Sequence, residues 1–406
     1  MTTQTLSARA PIAIESRAAV PGPAGITTLV IALAAWYLSA AIGWRQGALF
    51  LVGAGAGVVL YHAAFGFTSA WRVFISDRRG GGLRAQMLML AITCAVFFPL
   101  LAGGTPFGQP LRGSISPVGV SVIAGAFMFG VGMQLGGGCA SGTLFAVGGG
   151  NARMLVTLVM FIVGSLIGTA HMAWWTAIPA LPATSIVTSL GPWTALAVSL
   201  ALFGGVSAFT RVAERRRHGR VLDDPSASSP RWLRGPWPLV AGAIGLAAVN
   251  IATLLIGGRP WGVTSAFALW GAKVYTSMGG DVSSWSYWAA PAQVTALKSS
   301  VLMDVTSVMD FGIILGALTA SMLAGRFSLT FKISRPSLAA ALAGGLMLGY
   351  GARIAYGCNI GAYFSGIASG SLHGWLWLVA AFAGSILGTR LRPMFDLKVE
   401  KTQTAC

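Results

Sequence analysis

The stretch Ala124–Phe145, AGAFMFGVGMQLGGGCASGTLF, aligns without gaps on Ala343–Phe364, AGGLMLGYGARIAYGCNIGAYF, at an offset of 219 residues (358 − 139). Gly125 matches Gly344, Gly130 matches Gly349, Gly132 matches Gly351, and Cys139 matches Cys358. The match extends outward in both directions. GSLIGT (164–169) is echoed by GSILGT (384–389) after one inserted residue, and FGFTSAW (65–71) resembles WGVTSAF (261–267). An internal repeat of this kind divides the chain into related halves before any element is assigned. The boundaries fall near 25–210 and 236–395. Residues 211–235, with many arginines and the run DDPSASSP, form the linker between them. Residues 1–24 read as a disordered N-terminal tail and 396–406 as a C-terminal tail.

The 406 residues are 55% hydrophobic and only 9% charged, far below the quarter that soluble domains carry. Apolar runs of spanning length recur near 27–44, 47–71, 85–104, 116–136, 153–178, 190–210, 236–257, 302–325, 336–356 and 373–391. Shorter apolar pieces follow Cys139, Trp261 and Cys358. They are too short to cross a bilayer and read as re-entrant half-helices. The expected fold is therefore an all-α polytopic membrane protein with about ten spanning helices.

A net charge of +17 raises the question of nucleic acid, but the basic residues are not gathered on a polar face. They sit in short breaks between apolar runs: Arg72–Arg84, Arg211–Arg234, Arg326–Arg335, and the cluster from Arg390 to Lys401. That is the positive-inside pattern of a membrane protein. It puts these breaks and both termini in the cytoplasm. With that orientation, the run before Cys139 travels inward and the run before Cys358 travels outward. The halves are then inverted repeats, an arrangement that places substrate at the repeat interface beside interrupted helices.

Glycines beside each cysteine let the backbone leave helical geometry. Gly137 and Gly138 precede Cys139; Gly357, Asn359 and Gly361 surround Cys358. A short helix starting there aims free N–H groups at the centre, which suits an anion. A thiol adds a polarizable S–H donor matched to a soft, sulfur-bearing anion. Glycines at close spacing also serve helix packing, which accounts for Gly125, Gly130 and Gly132. Packing does not account for a glycine–cysteine cluster that appears once in each half. Cys94 has no such echo and reads as a small buried hydrophobe. Arg353, five residues before Cys358, either attracts an anion or caps an interface. Asp304 and Asp310, in VLMDVTSVMDFG, both read as structurally paired; Asp310 pairs with Lys298 or Arg353, or marks a proton path. No CxxC or Cys/His spacing suggests a metal, and no cofactor or nucleotide fingerprint stands in a credible context.

At FGVGMQLGGGCASGTLF and LGYGARIAYGCNIGAYFSGIASGSLHGW the chain resembles the YeeE/YedE family of sulfur-transport membrane proteins, from about residue 47 to 392. The resemblance implies thiosulfate uptake across the bacterial inner membrane, with the ion passed along cysteine thiols. Those roles map here onto Cys139 and Cys358, and a cytoplasmic sulfur-carrier protein would receive the product. Family members typified by thiosulfate uptake carry a third cysteine in an FCFTAAFR-like segment. The matching segment here is FGFTSAWR, with Gly66 in that place. A related sulfur oxyanion or a selenium compound stays open as substrate. A membrane-embedded sulfur relay, with a persulfide-forming cysteine, is the alternative activity.

Overall fold

The computed structural model describes residues 21–400 apart from 104, 106–109, 225 and 227–230. The expected tail at 1–20 and the last residues, 401–406, lie outside the described residues. Residues 21–24, read as part of the tail, instead open the first helix. The first half holds α1 (Pro21–Ala41), α2 (Trp44–His62), α3 (Phe67–Asp77), α4 (Gly81–Gly103), α5 (Val120–Gly136), α6 (Ala140–Gly148) and α7 (Ala152–Ala170). The short α8 (Met172–Ala177) and α9 (Ile186–Leu190) lead into α10 (Pro192–His218). The second half holds α11 (Leu239–Gly257), α12 (Thr264–Ser277), α13 (Pro291–Lys298), α14 (Val305–Leu323), α15 (Arg335–Ile354), α16 (Ser365–Ala368) and α17 (Leu372–Leu391). A π-helical turn, Asn359–Phe364, runs directly into α16. Beyond the helices there is a two-residue antiparallel pairing of Val118–Gly119 with Ala180–Leu181.

Ten helical segments among the described residues are long and apolar enough to cross a membrane, and they correspond one to one with the ten runs read from the sequence. The chain is an all-α polytopic membrane protein. The run 47–71 is not one continuous helix, however. It breaks after His62, where Ala64 takes a positive φ and Gly66 starts α3 in extended geometry. FGFTSAW therefore opens a short helix, as WGVTSAF does at α12. The short pieces expected after Cys139, Trp261 and Cys358 are α6, α12 and the segment Asn359–Ala368.

Small residues decide how the long helices meet. On α5, a Cβ at Gly130 would collide with the carbonyl of Ala381 on α17; in return, one at Gly384 would collide with the carbonyl of Phe127. The same exchange joins α15 to α7, through Gly349 with Phe161 and Gly164 with Leu346. Each contact is closed by a serine: Ser385 donates to the Gly130 carbonyl at 3.3 Å, and Ser165 to the Gly349 carbonyl at 3.5 Å. In a bilayer, where apolar burial gives helices little reason to associate, such close backbone approach supplies the attraction. α2 and α14 interlock the same way through Gly53, Gly57, Gly312 and Gly316. α1 and α10 lie at the periphery, with exposed Trp36, Trp193 and Phe209 facing outward.

Between the packed helices runs a chain of buried rings. Trp71 on α3 meets Tyr363, which stacks near-parallel on Trp377; Trp377 meets Phe129, Phe129 meets Phe161, and Phe161 meets Phe267 on α12. The two matched short helices, α3 and α12, are thus the ends of one aromatic core.

Candidate functional site

Both repeated cysteines stand at breaks where a long helix stops and a short one starts. α5 ends because Gly137 adopts a left-handed conformation at φ 96°, which a side chain would strain. Cys139 follows as N-cap of α6 in extended geometry, and its Sγ accepts from the Gly142 N–H at 3.4 Å. Ser141 Oγ lies 3.5 Å from the same sulfur. α15 ends in the same fashion. Tyr356 and Gly357 both take positive φ, and at Gly357 a Cβ would also press on the Ala362 amide at 2.7 Å. Cys358 then opens the π-helical turn, its carbonyl accepting from both Ala362 and Tyr363. A π-turn at this point is the type of irregularity that accompanies functional positions in helices.

The two thiols come from opposite halves and are buried. Cys139 and the carboxyl of Asp310 on α14 both lie within electrostatic range of the Cys358 thiol. Two further polar groups in this region have no hydrogen-bond partner: both ends of the Asn359 amide, and both oxygens of Asp310. All are buried. Orphaned buried polar groups are costly, and few occur in native structures.

The residues expected at the site separate into two sets. Cys139, Cys358, Gly137, Gly138, Gly357, Asn359 and Gly361 all belong to the two breaks. Gly361 alone of these glycines has open space where a Cβ would be, and it is half-exposed. Its carbonyl accepts from Ser114 Oγ at 3.0 Å. Arg353 is elsewhere: it donates to the Tyr287 hydroxyl, lies over that ring at 4.9 Å, and packs its Cβ against Gly168 on α7. Cys94 is buried with its sulfur 3.8 Å from the Ile367 carbonyl, as a small core side chain.

Asp304 and Asp310 differ in kind. Asp304 caps α14, accepting from the Ser307 N–H at 2.8 Å, and faces Arg259 at 3.5 Å. Structural pairing describes it. Asp310 pairs with neither Lys298 nor Arg353, contrary to the pairing read from the sequence; Arg353 is held by Tyr287 instead. Ser114 carries no signal in the sequence, since a lone serine in a loop resembles any other.

On the side where α5 ends, arginines gather on its free carbonyls. Arg153 donates to the Gly136 and Leu135 carbonyls at 2.8 and 2.6 Å, and Arg392 to the Gln134 carbonyl at 2.5 Å. Arg72 pairs with Glu400 and lies 3.4 Å from Gln134 Oε1. A Cβ at Gly137 would meet the Arg153 guanidinium at 2.6 Å, so positive charge stands beside the first break. Among the described residues no group of His, Cys, Asp and Glu side chains is placed to hold a metal ion.

The fold and the site together define a polytopic membrane protein whose broken helices converge on two buried thiols and a basic rim. Comparison with known sequences makes the assignment: residues 62–387 match the family described as Sulphur transport, and the chain belongs to that family. It is 26% identical over 346 residues to the thiosulfate transporter TsuA of Spirochaeta thermophila, covering 80% of this chain and 92% of that one. It is 32% identical over 171 residues to the probable transporter YedE of Escherichia coli, and to that of Salmonella typhimurium. Those matches span 42% of this chain and 42% of each YedE.

Proposed function

We propose that this protein carries thiosulfate, or a closely related sulfur-containing anion, across the bacterial inner membrane through the pathway between Cys358 and Cys139. The observation that carries the reading is a buried thiol from each half, standing where a long helix breaks and a short helical segment starts. A thiol donates one S–H hydrogen bond and accepts weakly, so it can hold a soft anion without trapping it. The free amides at the starts of α6 and of the turn at Asn359 add partial positive charge.

The halves are inverted copies in this reading. The reciprocal packing supports it: α5 with α17 mirrors α7 with α15, down to the Ser385–Gly130 and Ser165–Gly349 hydrogen bonds. The arginine-rich helix ends lie in the cytoplasm, as do both termini. The anion enters past Ser114 and Gly361, meets Cys358 and the Asn359 amide, passes to Cys139, and leaves beside Gly138, Gly137 and Arg153. Arg353, held by Tyr287, adds positive charge to the field from the side. A cytoplasmic sulfur-carrier protein then takes the product.

Purified protein in liposomes tests this directly with labelled thiosulfate. Cys139→Ala and Cys358→Ala each lower uptake by about tenfold or more, a barrier increase of roughly 1.4 kcal/mol. The corresponding serine variants retain part of it, because a hydroxyl still donates a hydrogen bond. A sulfur relay predicts the opposite pattern: no uptake by the unaltered protein, and a persulfide on Cys358 detectable by mass.

A further inference from the structure

Asp310 lies in the second turn of the apolar helix α14, buried, with no hydrogen-bond partner on either oxygen. A carboxylate in that position is expensive unless something offsets its charge. The ionisable groups on the elements around α14 do not do so. On α1, Tyr37 is exposed; on α2, Arg45 lies over Trp44, Tyr61 packs on His62 and His62 on Trp237; on α12, Lys273 donates to the carbonyls of Leu297 and Ser299 and Tyr275 packs on Trp285. Among the described residues no cation is hydrogen-bonded or ion-paired to Asp310, and its ionisable neighbours include Asp304 and the Cys358 thiol.

A row of polar side chains leads from the surface toward Asp310. Asp304, partly exposed, accepts from Ser307 Oγ at 2.7 Å. Thr306 Oγ1 accepts from Arg259 at 3.1 Å and from Ser265 Oγ at 3.0 Å. Thr306 and Ser307 precede Asp310 by four and three residues, so all three share one face of α14.

We propose that Asp310 is the proton-carrying group of the pathway, and that anion passage past the cysteines is coupled to a proton reaching it along Asp304, Ser307 and Thr306. The proposal rests on the transport reading above. Its physical basis is competition. An ionised Asp310 near Cys358 repels an incoming anion, so the anion binds best when the carboxyl holds a proton. Linkage makes the preference mutual: proton binding favours the anion to the same degree. When the anion moves on toward Cys139, that bias is removed and Asp310 releases its proton toward the Cys139 side, where the anion also leaves. Anion and proton travel in the same direction, which gives the chain an energy source without a nucleotide-binding site.

The experiment uses the full chain in liposomes with a trapped pH indicator, membrane voltage clamped by a potassium ionophore. Adding thiosulfate outside acidifies the lumen. An inward gradient of one pH unit raises accumulation by about tenfold for one coupled proton. Asp310→Asn removes the proton signal and flattens the response to the gradient, whatever uptake remains; Asp304→Asn slows the proton signal. The unaltered protein's proton signal decides the matter even where a variant fails to fold. Uptake without lumen acidification, or an Asp310→Asn protein that still acidifies the lumen, overturns the proposal alone. No uptake by the unaltered protein overturns the transport reading and the coupling with it.

Discussion

At the scale of single residues, the two breaks depend on backbone geometry that few side chains permit. Gly357 combines a left-handed φ with a Cβ position pressed on the Ala362 amide. Gly357→Ala therefore distorts the π-turn that positions Cys358, and labelled-thiosulfate uptake falls about as far as in Cys358→Ala while the protein still inserts. Gly66 is a contrasting case. Its φ of −104° suits any residue, and an added Cβ there meets only the Ser69 hydroxyl, which can rotate away. Gly66→Cys is expected to fold normally and to place a thiol at the edge of a cavity of about 160 Å³ lined by Ser69, Arg79 and Gln86. Reaction with a small methanethiosulfonate reagent, absent in a background lacking that cysteine, checks this. The glycine and cysteine pattern at both breaks was legible in the sequence because it occurs twice. The isolation of Asp310 was not, since nothing in VLMDVTSVMDFG says which helix face lacks a partner.

At the scale of elements, stability rests on helix pairs whose backbones touch. Gly384→Ala or Gly130→Ala drives a methyl group into the carbonyl of the facing helix, and neither backbone can move without unseating the serine bond beside it. Overpacking of this sort costs about 1–3 kcal/mol, with backbone collisions at the upper end. The loss of folded protein on heating in detergent measures it, and the pair Gly349→Ala and Gly164→Ala should respond alike across α15 and α7. The arginine rim is a separate device. Arg153→Ala strips the Leu135 carbonyl of its side-chain donor and leaves the Gly136 carbonyl only Thr157, and hydrogen bonds from a charged group contribute about 1.5–3 kcal/mol each. It should lower thermal stability and loosen the end of α5 that leads to Cys139. Ten spanning runs could be counted from hydropathy alone. The break inside 47–71 could not, because the bend at Ala64–Gly66 is itself made of apolar residues and leaves no hydropathy signature.

At the scale of the whole molecule, the chain's last described residues close over one face: Glu400 bonds Arg72 through both carboxylate oxygens, and Ser76 donates to its backbone. Partial burial raises the Glu400 carboxyl, but the Arg72 hydrogen bond and charge more than offset this, holding it below the ordinary glutamate value. A carboxyl with a lowered folded-state pKa stabilises the closed arrangement above its unfolded pKa, and that stabilisation is lost as pH falls through the folded value. Acidification, or Glu400→Gln at neutral pH, should therefore release residues 396–400 from α3, measured as faster carboxypeptidase trimming. Hydropathy and the arginine clusters determined by themselves that this is a polytopic membrane protein, and the duplicated motif singled out Cys139 and Cys358, because each of those signals is local or repeated along the chain. Only the tertiary structure decided which groups share the centre. It brought Cys139, Cys358, Asn359 and Asp310 into one buried region and turned Arg353 aside to Tyr287. Proximity across helices depends on where each long helix breaks and which face it presents to its neighbours.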